Sequence, residues 1–335
     1  MGFVPISDLS SHLVQTRRVS TLRSRFNTAA QEVSTGRVSS IRQQSKTAIP
    51  GLFAMENHLA GHNTRLLSLG QAAGRFGAMS LSLERVSESA ANTGPMLLSV
   101  LDQGMLVSAV DMASRAEGAL ETAVTALNMQ FAGQHLFSGA ATGLAPLPPA
   151  SEIVDAVGAL LDAAPDVATG LADVEAFFSA GGGFETSIYR GATAPAPAVE
   201  LAEGQRTQPD IRADDPAVRN TLKSLALAAA AARDFVPSEE ARFREVARAA
   251  AVGSIGASQD LVGLAQNVGA AEAEIAAAMA WSEGAKSFLE LRINDATSVD
   301  PFEAAAQFEA LSGQLEMTYA VTARVASLRL LDFLR

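Results

Sequence analysis

Two histidines stand at a spacing that could hold a metal ion. His58 and His62 lie four residues apart in a segment with helical periodicity, so both side chains would leave the same helix face. Zinc metallopeptidases place a glutamate, the general base, directly after the first histidine of such a pair. That position is Leu59 in this chain. We therefore interpret the histidines as solvent-facing polar residues and predict no metal site here.

An acidic cluster and a glycine run are two further candidate binding sites. Asp210, Asp214 and Asp215 could bind calcium, but the glycine and glutamate of a calcium loop are absent, which favours a capped helix start at Asp215. The run Gly181–Gly183 lacks a following Lys-Ser/Thr, so we predict a flexible loop rather than a phosphate cradle. No motif supports a Ser-His-Asp arrangement, and the chain has no cysteine. We predict no catalytic residue, no cofactor and no enzymatic activity.

The composition points to packed helices rather than to an enzyme core. The 335 residues exceed what one compact core holds, aromatic residues make up 5%, and alanine is abundant. The net charge of −11 argues against a nucleic-acid partner. The uncharged stretch from Thr122 to Ser151 is interrupted by polar residues, glycines and prolines, so we predict no membrane span. The opening MGFVPISD shows no cleavable signal peptide.

The two ends of the chain carry the clearest helical patterns. Near the C-terminus, Asp300 and Pro301 predict a capped helix start, and apolar residues then recur every three or four positions. Near the N-terminus, apolar residues recur every seven positions and the helix is expected to stop at Gly36. Residues 1–50 carry a net charge of +5 and residues 300–335 one of −2, which favours pairing of the two helices. The predicted assembly-interface residues are Val19, Leu22, Phe26, Val33, Phe308, Leu311, Leu315, Val325, Leu328 and Leu331.

The order of elements is nested, so both ends return to one place. We predict a terminal coiled-coil domain (residues 1–45 and 298–335), a helical rod domain (46–144 and 216–297) and a variable insert domain (145–215). Most prolines lie in or near the insert. There we expect one helix over residues 151–161 and short strands over 186–189 and 198–201. The run Asn92–Pro95 predicts a break or kink in a long helix.

Four stretches in order resemble the bacterial flagellin superfamily, in particular the flagellin-like hook-associated proteins of the hook–filament junction. They are the stretch from Leu22 to Val38, ending in EVSTGRV, LSLERVSESAANTG from Leu81, GQHLFSG from Gly133, and the terminal stretch from Asp300 to Leu334. The resemblance covers roughly the first 145 and last 120 residues and leaves out the middle. After STG, Ser45–Pro50 departs from the family's usual turn, which leaves the local conformation there open.

The resemblance implies a mainly α-helical, elongated, flagellin-like rod. It would consist of a terminal two-helix coiled coil, a helical-bundle domain and a small β-containing insert. It implies a structural subunit that joins hook to filament by packing its terminal helices between subunits. The implied partners are other copies in a ring or helical lattice, another hook-associated protein, flagellin and a type III export chaperone. The implied location is the extracellular flagellum, reached without a cleaved signal peptide.

Three alternatives stay open, one of which is a non-flagellar coiled-coil protein, because heptad repeats alone are generic. The chain could be the filament flagellin itself, although its ending, ARVASLRLLDFL from Ala323, resembles the junction proteins and lacks the Ala-Asn-Gln and Pro-Gln stretch usual in flagellins. More remotely, it could be an enzyme on a flagellin scaffold. That needs His-Glu-x-x-His in the insert, and no histidine follows His135.

Overall fold

The computed structural model describes residues 6–39, 49–208, 210–233 and 235–333, with backbone alone for residues 6–12, 49–50 and 325–333. Within these ranges the chain is mostly α-helical, as predicted. The α-helices are α1 (Ile6–Thr35), α2 (Ile49–Asp102), α3 (Leu106–Leu127), α4 (Ala150–Ala163), α5 (Val167–Phe178), α6 (Pro216–Arg233), α7 (Glu240–Thr297) and α8 (Pro301–Phe333). The short strands are β1 (Gln130–Phe131), β2 (Gln134–His135), β3 (Val199–Ala202) and β4 (Gln205–Thr207).

The chain divides into two compact units. Unit 1 contains Met1–Asn63 and Glu283–Arg335, and unit 2 contains Thr64–Ser282. The long helices α2 and α7 contribute residues to both units. The three predicted domains use other boundaries and remain a prediction.

Unit 2 is built around α6, which packs against α3, α4 and α5. Its sequence LALAAAAA is buried on nearly all sides, because small side chains let neighbouring helices approach closely from several directions. Larger residues from the surrounding elements complete this core, among them Leu120, Phe137, Ile153 and Phe184. Unit 2 therefore has an ordinary apolar core that does not depend on other chains.

The motif GQHLFSG holds the middle of unit 2 together. Gly133 has a φ of +77° in the tight turn between the antiparallel strands β1 and β2. Phe137 is fully buried, and its carbonyl accepts a hydrogen bond from the Ala213 N–H at 2.9 Å. The Ser138 carbonyl accepts another from Ala192 at 2.9 Å. The motif thus ties the insert to the helical part of unit 2.

The break predicted as one possibility at Asn92–Pro95 is wrong, because α2 continues through Pro95 to Asp102, and a kink there stays a prediction. Close packing of α7 against this part of α2 explains the glycine in the sequence. A Cβ atom on Gly94 would lie 2.9 Å from the Ala251 carbonyl oxygen and 3.0 Å from Ser254 Cβ. The Ser254 hydroxyl also donates to the Ala90 carbonyl at 2.8 Å. The glycine therefore permits close approach of α7, and the segment is a packing site rather than a helix end.

The insert contains β structure, as predicted, but with a different distribution. The hairpin β3–β4 confirms the strand expected over residues 198–201. The strand expected over 186–189 is wrong, because Phe184–Ile188 forms a π-helical turn with Phe184 and Ile188 buried four residues apart. Helix α5 was not predicted, although Asp166 marks its start by accepting a hydrogen bond from the Thr169 N–H at 2.8 Å.

Candidate assembly surface

The terminal helices α1 and α8 pack against each other in unit 1, as the sequence predicted. The Phe26 and Phe308 rings stack with centroids 5.0 Å apart. Ala29 and Ala304 are buried beside them, at 4% and 3% exposure. Gly36, at the end of α1, bonds to Val299, just before α8 begins. Val19, in the middle of α1, lines one groove together with Val321, far along α8. The two helices therefore run antiparallel.

Backbone hydrogen bonds join the end of α1 to the segment just before α8. Gly36 has a φ of +66°, the left-handed helix stop that the sequence predicted. The Val299 N–H donates to the Gly36 carbonyl at 3.0 Å, and the Val38 N–H donates to the Thr297 carbonyl at 2.9 Å. The buried Glu32 carboxylate accepts from the Ser39 N–H at 3.0 Å. The motif EVSTGRV therefore terminates one helix and fixes the start of the other.

The start of α8 is capped as expected. Asp300 Oδ1 accepts from the Phe302 N–H at 2.8 Å and, more weakly, from the Glu303 N–H at 3.4 Å. These bonds satisfy backbone donors that the first helical turn leaves unpaired. The second predicted cap is also present, because the Ala217 N–H donates to Asp215 Oδ1 at 3.0 Å at the start of α6.

The predicted interface residues fall into three groups. Six are half-buried in the α1–α8 pair: Val19, Leu22, Phe26, Phe308, Leu311 and Leu315. Val33 is 45% exposed. The side chains of Val325, Leu328 and Leu331 lie outside the described residues. The structure thus brings six of these residues together within one chain, and their role between subunits stays a prediction.

Unit 1 buries very little apolar surface. Among its residues with described side chains, the buried apolar residues are Ala29 and Ala304. Ten large apolar side chains are exposed in the described part of unit 1: Leu13, Val14, Val33, Phe53, Phe288, Leu291, Phe302, Met317, Tyr319 and Val321. Exposed apolar surface on this scale is typical of a contact site for another protein. Unit 1 resembles one half of an interface more than an independent domain.

A groove of about 660 Å³ runs between α1 and α8. Its apolar lining includes Leu22, Met317 and Val321, and Arg17, Arg18 and Arg25 are also part of its wall. Among the described side chains, no carboxylate lies within ion-pair distance of these three arginines. The opposite charges predicted to favour pairing of the two helices therefore form no ion pairs between them in the described part of the chain.

The sequence suggested the seam but did not indicate this groove. Met317 and Val321 do not break the helical periodicity of α8, and the arginines of α1 are equally typical of a solvent-exposed helix face. One signal could have found the groove: α1 has four arginines between Asp8 and Glu32 and no acidic residue there to compensate them.

His58 is exposed and His62 half-buried on α2. In the described ranges, no three histidine, cysteine, aspartate or glutamate side chains are grouped so that they could hold a metal ion. Across those same residues, no helix combines the length and apolarity needed to cross a membrane.

The acidic residues Asp210, Asp214 and Asp215 take part in a capped helix start, as predicted at Asp215, and in a network of charged contacts. Arg212 Nε lies 3.3 Å from both Asp210 Oδ1 and Asp214 Oδ1. Burial raises the pKa of Asp214, and the nearby Arg212 opposes that rise only in part. Burial also raises the pKa of Asp215. Arg219, itself buried, pairs with Glu185 and donates to the Ser179 carbonyl at 3.0 Å. The Arg219 contacts join Glu185 and Ser179 of the insert to α6.

Comparisons with known proteins leave the family of this chain open and identify its fold. No protein-family model and no curated protein matches the sequence. Among solved structures, the chain is similar to a protein from Vibrio parahaemolyticus provisionally described as a flagellar hook-associated protein. The match has a TM-score of 0.52 and 13% sequence identity, and covers 75% of this chain and 98% of the other. At this identity the likeness shows a shared fold.

Proposed function

We propose that this chain is a non-enzymatic structural subunit of the bacterial flagellum that joins the hook to the filament. Its terminal helices α1 and α8 pack between subunits in a ring or helical lattice. Its neighbours in the assembly are another hook-associated protein on one side and flagellin on the other. The chain reaches this extracellular position through the flagellar type III apparatus, with an export chaperone and without a cleaved signal peptide.

The observation that carries the proposal is the contrast between the two units. Unit 2 has a large apolar core, whereas unit 1 buries two alanines among its described apolar side chains and exposes ten large ones. Ordering a residue costs roughly 1–2 kcal/mol of backbone entropy, so an exposed helix pair is poorly stabilised on its own. Packing against neighbouring subunits supplies the missing apolar contacts. The fold shared with the Vibrio parahaemolyticus protein supports a flagellar setting.

The position at the junction rests on the ending of the sequence. ARVASLRLLDFL resembles the junction proteins and lacks the stretch usual in flagellins. A junction subunit meets two different lattices, so its terminal helices have to differ from those of flagellin.

Immunogold electron microscopy of isolated hook–filament preparations tests the proposal. An antibody against unit 2 should label one band at the boundary between hook and filament. Label along the whole filament would identify the chain as flagellin instead. Absence of label from preparations that contain intact hooks and filaments would contradict a flagellar role, provided that the antibody recognises the purified chain.

A further inference from the structure

The groove on the terminal helix pair has a chemical character that restricts what can occupy it. Its lining includes the apolar Val14, Leu22 and Met317. Arg17, Arg18 and Arg25 bring three positive charges to the same groove. A suitable occupant therefore presents apolar groups together with carboxylates.

The arginines have a defined spacing. Arg18 and Arg25 are seven residues apart, which is close to two helical turns, so they lie on the same face of α1. At 1.5 Å of rise per residue their attachment points are about 10 Å apart along the helix. In the described part of the chain neither has a carboxylate within ion-pair distance.

The same helix pair carries a matching acidic face. Glu309 and Glu316 on α8 are exposed and also seven residues apart, with the same rise of about 10 Å. Among described side chains, neither glutamate has an ion-pair partner. At 3.6 residues per turn, they point about a third of a turn away from Val321, which lines the groove. The groove and the acidic face are therefore separate surfaces of one helix pair.

We infer that the groove of one copy receives the acidic face of α8 from a second copy. Arg18 and Arg25 then meet Glu316 and Glu309 in two simultaneous ion pairs, while apolar side chains of α8 cover the groove. This inference rests on the proposed function and specifies which surfaces join the subunits. Because the two joined surfaces differ, a bound pair leaves one groove free on one copy and one acidic face free on the other. Repetition gives a ring or a helical array rather than a closed dimer.

The test measures self-association of the full-length purified chain by sedimentation velocity at low and high salt. The wild-type chain should associate at low salt and weaken as salt screens the charges. Arg25→Glu should weaken association at least about tenfold, because it sets like charges against each other. The matched control is Arg23→Glu, which makes the same charge change two residues away on a side chain that does not line the groove. It should leave association within about twofold of wild type.

A mixing experiment identifies the two surfaces directly. One variant carries Arg18→Glu and Arg25→Glu, and the other carries Glu309→Arg and Glu316→Arg. Each should remain monomeric alone, since its groove and its α8 face have the same charge. Together they should associate, because each groove then meets a face of opposite charge. Recovery on mixing also shows that neither variant has simply lost its fold.

The inference is overturned if Arg23→Glu and Arg25→Glu have equal effects, or if mixing restores nothing. A wild-type chain that stays monomeric at low salt and high concentration overturns it as well. None of these outcomes moves the immunogold label, which depends on where the chain is located. Failure of this inference is thus distinguishable from failure of the proposed function.

Discussion

At the scale of single residues, several positions are determined by backbone geometry rather than by side-chain chemistry. Gly139 has a φ of +60°, and a Cβ atom there would overlap the carbonyl oxygens of Ala192 and Ala194. Only glycine fits both conditions. The surrounding GQHLFSG stretch carries part of the resemblance described above, and the structure supplies the physical reason for its last glycine.

Gly139→Ala should lower the free energy of unfolding of unit 2 by about 2 kcal/mol or more, through backbone strain and overlap. Gly143→Ala is the matched control, since a Cβ atom at Gly143 meets nothing within 4 Å. It should change the unfolding free energy by less than about 0.5 kcal/mol. Urea unfolding followed by circular dichroism measures both. Equal effects of the two substitutions would contradict this account of the motif.

The buried carboxylate of Asp214 should make the stability of unit 2 depend on pH. Burial raises its pKa, so the folded state binds the proton more tightly than the unfolded state does. An acid with a raised pKa subtracts stability above that pKa and stops doing so as the pH falls toward its unfolded value of about 4.

Asp214→Asn mimics the protonated side chain. The unfolding free energy of this variant, relative to wild type, should therefore rise as the pH increases from about 4 to about 7. Urea unfolding of both proteins at several pH values in that range gives this difference. A difference that stays constant or falls with increasing pH would show that the Arg212 contact, and not burial, governs Asp214.

At the scale of helices and strands, the sequence predicted long helices well and short or interrupted elements poorly. Capping residues identified the starts of α6 and α8 because a side chain and its backbone partners are local in sequence. The sequence around Gly94 did not reveal its packing role, because the part of α7 that approaches it closely is more than 150 residues away along the chain. The strand prediction over residues 186–189 is wrong because the β-prone composition there does not reveal that Phe184 and Ile188 are buried at helical spacing.

The candidate surface could be predicted only in part, for a similar reason. The apolar stripes of α1 and α8 identified the seam, where Phe26 and Phe308 stack. The groove forms where the edges of two helices that are distant in sequence come together. The apolar pattern of either helix alone does not predict that arrangement. Arg18 and Arg25 became informative only when the structure placed them beside apolar groups of α8.

A substitution at Leu315 tests whether assembly needs the contact between α1 and α8. It is half-buried on the face of α8 that packs against α1, where a charge is costly. Leu315→Glu should block assembly of the chain while the thermal unfolding of unit 2 stays almost unchanged. Gln314→Glu places the same charge on the adjacent exposed position and should assemble. Normal assembly of Leu315→Glu, or a much lower melting temperature of unit 2, would refute this role.

At the scale of the whole molecule, charge and stability are unevenly divided. Residues 64–282 carry 25 acidic and 13 basic side chains, whereas the remainder carries 11 and 12. The net charge of −11 therefore comes from unit 2, and unit 1 is close to neutral. A near-neutral unit with exposed apolar residues is suited to close packing with other copies, while an acidic unit 2 favours solubility.

Limited proteolysis of the dilute monomer should show this division. Regions with few buried apolar contacts open locally at low free-energy cost, so unit 1 should be cleaved first. We expect loss of roughly 40 residues from each end and a resistant fragment within unit 2. Mass spectrometry of the fragments locates the cuts. Equal resistance along the whole chain would show that unit 1 is stable without partners.

The most direct test of the central claim is electron microscopy of cells in which the gene is deleted, together with analysis of the culture medium. A junction subunit is needed to start the filament but not to build the hook or to export flagellin. The deletion should therefore give complete hooks, no filaments, and flagellin monomers in the medium. Normal filaments on the deletion strain would contradict the claim. Loss of all flagellin-sized protein from the medium, with wild-type filaments made of this chain, would contradict it too and identify the chain as the flagellin.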